Sequence, residues 1–354
     1  MTCGMDRRTF LVLAAAGRAP AQERLDRNNL LLYRDSSGGL KPVRSVRDWL
    51  RRREEILRGM QSVMGPLPGS GKRCPLEPRL EEETDAGSHI RRLISYASEP
   101  GGRVPAYLLI PKGLEGSRKQ APAALCLHPT DNKIGHKVVV GLGGRPNRQY
   151  AAELAERGYV TLAPSYPLLA GYQPDWRALG YQSGAMKAIW DNIRGLDYLE
   201  TLPFVRKRAF GAIGHSLGGH NSVYTAVFDH RIQAVVSSCG LDSYLDYKDG
   251  DIRGWTSDRY MPGLLAYRER LRDIPFDFHE MIGALAPRAC FISAPLRDDN
   301  FKADSVDRIV AAARQVYRLY RKPENLSLEH PDSAHDFPDE MRRRAYAMFD
   351  RHLR

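Results

Sequence analysis

One stretch constrains this chain more than any other: Ala209-Phe210-Gly211-Ala212-Ile213-Gly214-His215-Ser216-Leu217-Gly218-Gly219-His220. Small and apolar residues lead into Gly214-His215-Ser216-Leu217-Gly218, and a helix-like pattern follows from Leu217 to Phe228. A G-x-S-x-G motif between a strand and a helix puts its serine on a tight, strained turn. The neighbouring turn positions must then lack side chains. Gly214 and Gly218 supply that room, and Gly219 lets the following helix pack close to the strand. Such a turn lifts the Ser216 hydroxyl above the sheet edge and aims the Leu217 N–H at the place where an oxyanion would form. A glycine-rich turn with an incidental serine is the alternative. The strand on one flank and the helix on the other favour a nucleophile.

With 354 residues, the chain can bury one large α/β core with an appendage, or two modest domains. A composition of 42% hydrophobic and 27% charged residues argues against disorder and multiple membrane spans. The formal net charge of +11 is spread along the chain, with no long basic tract or nucleic-acid motif. It implies solubility and mild attraction to anionic polymers, and no nucleic-acid partner is expected. Residues 1–21 resemble an export signal: Asp6-Arg7-Arg8-Thr9-Phe10-Leu11 matches a twin-arginine pattern, and Ala19-Pro20-Ala21 fits a cleavage site. The apolar run over residues 10–16 is too short to span a bilayer. A periplasmic or secreted protein is expected, the alternative being an amphipathic helix that stays attached. The five cysteines form no C-x-x-C pair, and Cys74, Cys126, Cys239 and Cys290 are expected as free thiols rather than a disulfide framework or metal site.

Residues 43–64 carry Val46, Leu50, Leu57 and Met60 at helical spacing, ended by Gly65-Pro66-Leu67-Pro68-Gly69. Gly69-Ser70-Gly71-Lys72 is no phosphate-binding loop, because Pro66 and Arg73 occupy positions that require Gly and Ser or Thr. Strand patterns over residues 89–97 and 104–110, joined by Pro100-Gly101-Gly102, predict an antiparallel hairpin. Beyond it, apolar strands ending at His128, Ala163, Ile213, Ser238, Ser293 and Glu329 alternate with helical patterns. That order predicts an α/β chain built on a mostly parallel, doubly wound sheet with an N-terminal hairpin and a cap-like insertion over residues 240–287. The expected layout is an export signal over 1–21, a helical extension over 22–80 and a catalytic domain over 81–354.

Two later loops carry an acid and an imidazole. The strand through Ser293 runs into Pro295-Leu296-Arg297-Asp298-Asp299-Asn300-Phe301, and a carboxylate just past a parallel strand lies on the same sheet edge as the serine turn. Asp298 is the expected acid and Asp299 the reserve, while either also suits the cap of the following helix. The last strand leads into His330-Pro331-Asp332-Ser333-Ala334-His335-Asp336-Phe337.

Gly214-His215-Ser216-Leu217-Gly218-Gly219, the acid after the penultimate strand and Ala334-His335-Asp336-Phe337 together resemble the α/β-hydrolase superfamily. The likeness covers about residues 80 to 354. Within the superfamily, Trp49-Leu50-Arg51-Arg52-Arg53, Met64-Gly65-Pro66-Leu67-Pro68 and Tyr107-Leu108-Leu109-Ile110-Pro111 are similar to bacterial dienelactone-hydrolase-like and acetyl-xylan-esterase-like proteins. The resemblance implies an α/β-hydrolase fold and the chain order serine, acid, histidine. Its base is then His335, with His330 structural. The resemblance also implies hydrolysis of a carboxylic ester, small or on a polysaccharide, without a cofactor. The second oxyanion donor belongs to the loop after His128. Pro129 has no N–H, so Thr130 is the expected donor beside Leu217. His128, Asp131 and His136 have no spacing that fixes a metal geometry. The chain departs from dienelactone hydrolases in having Ser216 where those carry a cysteine, and from glucuronoyl esterases in the residues flanking the serine.

Two other functions share this pattern: a serine peptidase of prolyl-oligopeptidase type, and a binding protein that has lost activity. Tyr244, Tyr247, Trp255, Tyr260, Met261 and Tyr267 in the insertion either stack on substrate or pack the cap onto the core, and both uses are common for aromatic side chains. Tyr166, Tyr172, Trp176 and Tyr181 carry the same two options. Were Trp255 at the site, Trp255→Ala would raise KM with little loss of stability.

Overall fold

The computed structural model describes residues 24–354, so the expected export segment over 1–21 lies outside the described residues. β1 (Leu32–Arg34) and β2 (Leu40–Pro42) form a short antiparallel ribbon. Helix α1 (Val46–Met64) follows, capped by the Ser45 side chain, which accepts the Asp48 N–H. Its buried stripe is Trp49, Ile56, Met60 and Val63. This corrects the stripe expected from the sequence: Val46 and Leu50 are exposed and Leu57 is half-buried. The indole of Trp49 and the side chain of Ile56 offer more apolar surface than the face one position away, and they rotate the helix. Trp49, Ile56 and Met60 share one hydrophobic cluster with the sheet, so α1 packs onto the main core.

A nine-stranded sheet forms the centre. Its strands are β3 (Arg79–Asp85), β4 (His89–Glu99), β5 (Gly102–Pro111), β6 (Ala121–Leu127), β7 (Val160–Pro164), β8 (Val205–His215), β9 (Ile232–Ser238), β10 (Ala289–Ser293) and β11 (Leu326–Glu329). They run in the order β11-β10-β9-β8-β6-β7-β5-β4-β3. From β11 to β7 every pairing is parallel, and β7–β5, β5–β4 and β4–β3 are antiparallel. The expected hairpin is β4–β5. Strand β3 was not expected. Its sequence Arg-Leu-Glu-Glu-Glu-Thr-Asp is exposed almost throughout and owes its form to pairing with β4 at a charged edge.

Strand periodicity sorts the core into two layers. Ala123 and Leu125 on β6, Ala212 on β8 and Val235 on β9 face one cluster with α3 (Gly184–Thr201), α4 (Leu217–Phe228) and α6 (Ala303–Leu319). Their alternates Ala124, Cys126, Ile213 and Val236 face α2 (Tyr150–Glu156) and α7 (Asp339–Leu353). Helices on both faces force every central strand to be apolar on both sides. Among the described residues, no helix is long and apolar enough to cross a membrane.

The insertion between β9 and β10 consists of short 3-10 turns and one short helix, α5 (Phe278–Gly283). Tyr244, Trp255, Phe276 and Phe278 pack inward, while Tyr247, Tyr260 and Tyr267 are half-buried. Trp255 is buried, with the rings of His220, Tyr244, Tyr247, Tyr260, Phe278 and Phe301 around it at 4.8–6.1 Å. Tyr166, Tyr172, Trp176 and Tyr181 are buried as well. The core option therefore holds for Tyr166, Tyr172, Trp176, Tyr181, Tyr244, Trp255 and Met261, and the expected Trp255→Ala effect on KM gives way to one on stability.

A sealed ionic cluster underlies the loop before α3. Lys187 ion-pairs with Asp191 and with Glu99 at 3.1 Å, and all three are buried. Tyr172 and Tyr181 donate their hydroxyls to Asp191 and Glu99, and Lys72 closes the cluster at 2.7 Å from Glu99. Burial pushes the Asp191 carboxyl above its usual range against the pull of Lys187.

Candidate active site

Ser216 follows β8 directly and begins α4, with φ 54° and ψ −121°. That backbone conformation is rare for a side-chain-bearing residue. Two glycines make it possible: a Cβ on Gly214 would lie 2.1 Å from the Gly218 backbone, and one on Gly218 would lie 1.8 Å from the Leu127 carbonyl oxygen. The Ser216 N–H donates to the Ser238 carbonyl at 2.8 Å, tying the turn to the end of β9. Leu217 is buried and is the first residue of α4, where main-chain N–H groups lack intrahelical acceptors.

Asp298 and His335 come from the loops after β10 and β11. Because these strands and β8 are parallel, all three loops leave the same sheet edge. His335 Nδ1 lies 2.9 Å from both carboxylate oxygens of Asp298. Asp298 Oδ1 also accepts the N–H groups of Asn300 at 2.8 Å and Phe301 at 3.2 Å. Burial pushes this carboxyl up, but the His335 bond, its charge and the two N–H groups outweigh burial and hold it below the ordinary carboxylate range. With Asp298 accepting at Nδ1, the proton resides there and Nε2 is left as the basic nitrogen. Asp299 is exposed and meets Lys248 only through its carbonyl. His330 bonds the Ala294 carbonyl at 2.6 Å and Asp307 at 3.2 Å, bracing the two loops together.

A cavity of about 430 Å³ opens where these elements meet, lined by Ser216, His335, His215 and the 129–148 loop. Thr130 lines it too, exposed, with its hydroxyl 3.1 Å from that of Tyr260. His128 is buried and shapes this loop. It accepts the Tyr166 N–H at Nε2 (2.9 Å), so Nδ1 carries the proton toward the Pro129 carbonyl at 2.8 Å. Burial holds its pKa down to about 4. With both ring nitrogens engaged, His128 has no lone pair for a metal, and it does not form a ligand set with Asp131 and His136. Asp131 turns its carboxylate onto the N–H groups of Lys133 and Ile134.

Sequence reasoning missed three supports. Arg148 pairs with Asp336 and donates to the His335 carbonyl at 3.2 Å, while Asn147 donates to the other Asp336 oxygen at 2.8 Å. Asp336 beside His335 was visible, but nothing singled out Arg148 among so many arginines. His215, with Nδ1 3.1 Å from Ser238 Oγ, sets its ring at a tilt of 58° to that of His335, 4.8 Å away. Burial keeps His215 neutral. Cys239, at the end of β9, donates its thiol to the Asp336 carbonyl at 3.1 Å.

Sheet order and strand-end loops together define an α/β-hydrolase. Residues 147–346 match the model of the prolyl oligopeptidase family, and the chain belongs to that family, which places it among serine hydrolases. It is 24% identical over 277 residues to "Putative hydrolase YtaP" of Bacillus subtilis strain 168, covering 75% of this chain and 87% of that protein. Among solved structures it is similar to a glucuronoyl esterase from Solibacter usitatus, with a TM-score of 0.73, 19% identity and coverage of 91% and 97% of the two chains. An acetyl xylan esterase from Paenibacillus sp. R4 aligns with a TM-score of 0.55, 16% identity and coverage of 79% and 90%.

Proposed function

We propose that this protein is an exported serine esterase that deacylates carbohydrate or related esters through an acyl-enzyme. The observation that carries this reading is His335 Nδ1 held between the two oxygens of Asp298 while His335 and Ser216 line one cavity. In the proposed cycle, His335 Nε2 takes the Ser216 hydroxyl proton as Oγ attacks the ester carbonyl carbon. The oxyanion is held by the N–H groups of Leu217 and Thr130. Its collapse breaks the bond to the alkoxide oxygen, and His335 returns the proton so that the alcohol leaves. Water, deprotonated by His335, then attacks the acyl carbon and releases the acid and Ser216. Asp298 fixes the tautomer and offsets the imidazolium charge.

Carbohydrate esters are favoured by the esterases of similar fold and by the polar and charged side chains among those lining the cavity. Lys133 and Arg145 line its wall, and among the described residues neither side chain is ion-paired, which favours an acidic saccharide. Export rests on the twin-arginine pattern, and we keep residues 22–80 as an extension to a catalytic unit over 81–354. Peptide hydrolysis is the second reading, favoured by the family match. A panel of p-nitrophenyl acetate, acetylated xylan, methyl glucuronate and aminoacyl-p-nitroanilides separates them. Ester turnover abolished by Ser216→Ala supports the proposal. Anilide turnover alone supports a peptidase, and no turnover supports a binding protein.

A further inference from the structure

Beside the proposed acid and base stands a thiol that the ester chemistry does not use. Cys239 Sγ, a carboxylate oxygen of Asp298 and a ring nitrogen of His335 all lie within 4.8 Å of one another, the one such group among the described residues. The three come from different strand ends, those of β9, β10 and β11, so the sheet itself fixes their convergence. Cys239 adopts φ 47°, an uncommon backbone angle for a residue other than glycine, and its N–H donates to the Ser293 carbonyl at 2.8 Å. That bond links the thiol-bearing turn to the end of the strand that precedes the Asp298 loop.

We propose that Cys239, Asp298 and His335 form a binding site for a thiophilic divalent cation such as Zn²⁺, whose occupancy shuts off the hydrolytic site. The proposal rests on the roles assigned above to Asp298 and His335. A sulfur, a nitrogen and a carboxylate oxygen are the donors zinc takes in tetrahedral sites, at about 2.3, 2.0–2.1 and 2.0–2.2 Å, with a water completing the set. The spacing at Asp298 and His335, 2.9 Å, is already close to that of two ligands on one ion. The Cys239 sulfur lies within 4.8 Å of both, a gap that closes as the three donors draw in around one ion. Hard cations such as Mg²⁺ and Ca²⁺ prefer oxygen donors and do not fit this set.

Binding has a definite cost for the base. Cys239 gives up its proton to solvent, the His335 ring proton passes from Nδ1 to Nε2, and the freed Nδ1 lone pair and the Asp298 oxygen turn to the metal. His335 is then a metal ligand whose Nε2 carries the ring proton, so it no longer accepts the Ser216 proton. Metal and hydrolysis exclude one another without the metal touching substrate.

The test measures zinc binding to the intact protein by competition with a chromophoric chelator, together with p-nitrophenyl acetate turnover. The expected result is one zinc per chain at this site, with turnover lost along the same curve and restored by excess chelator. Cys239→Ser and Cys239→Ala should both weaken zinc binding and inhibition at least 100-fold. Cys74→Ser, which removes the partly exposed thiol, should leave both unchanged, and Mg²⁺ should have no effect. Equal zinc affinity in wild type and both Cys239 variants would overturn the site. Site-specific binding without loss of turnover would overturn the switch. A wild type that turns over no ester refutes the esterase reading, while the binding comparison still decides the site.

Discussion

Two buried acid–base pairs on this chain have opposite fates. Lys187 sits on α3 between Asp191 and Glu99, sealed from solvent, with Tyr172, Tyr181 and Lys72 taking up the remaining hydrogen-bonding capacity. His335 meets Asp298 with similar economy at Nδ1, yet its side chain is 22% exposed where that of Asp298 is 1%. The first pair is closed on every side and can only hold the loop before α3 to the sheet. The second is closed on its acid side and open at the base, the condition for moving a proton. Burial and charge alone do not distinguish them. The face left open onto the cavity does.

The largest effect should come from breaking the open pair. Asp298→Asn removes the tautomer control at His335 and should lower kcat for p-nitrophenyl acetate by roughly 10⁴-fold, with the thermal midpoint little changed. Breaking the sealed pair should do the reverse. Lys187→Met leaves the buried Asp191 carboxyl without a cation and Glu99 with Lys72 alone, and should cost about 3–5 kcal/mol by urea unfolding, with near-normal kcat per folded molecule. Trp255→Ala belongs with the sealed pair: lost packing in the aromatic cluster should cost about 3–5 kcal/mol and leave KM nearly unchanged. A large KM effect on a fully stable variant would put Trp255 back at the site.

Acid should separate the two regions more gently. Burial lowers the pKa of His128 to about 4 and of His136 and His220 to about 3. In the unfolded chain these rings take up protons near pH 6.5, whereas the folded protein resists until much lower pH. Stability is therefore full above pH 6.5 and falls as pH drops from there towards 4, by up to about 1.4 kcal/mol per histidine per pH unit. Urea midpoints from pH 7 to 5 measure this. The Asp298 carboxyl, held low, adds stability above its unfolded value near pH 4 that disappears only below it. The smallest effect should be that of Asp299→Asn, within about threefold of wild-type kcat, because its side chain lies outside the His335 contact.

Much of this was legible in the sequence because it follows from period and order. Central strands are apolar on both faces, and Gly214 and Gly218 mark a turn that no side chain fits. What escaped were elements made by partners rather than by their own pattern. β3 is polar and becomes a strand only against β4, and β1–β2 likewise has a single buried residue, Tyr33. The stripe of α1 was misplaced because Trp49 outweighs Val46 and Leu50. The choice between Asp298 and Asp299 turns on one residue of loop direction, set by the Asn300 and Phe301 N–H groups. The Arg148–Asp336 clamp and Cys239 depend on contacts 97 to 188 residues apart in the chain, which no local pattern encodes.

Hydrolysis by this protein requires Ser216 to act as a nucleophile activated through His335. A fluorophosphonate probe, followed by peptide mass mapping of the full-length protein, tests this directly. One adduct is expected, on Ser216, formed far more slowly in Asp298→Asn and absent in Ser216→Ala. Labelling of another residue, or none in the folded wild type, would contradict it.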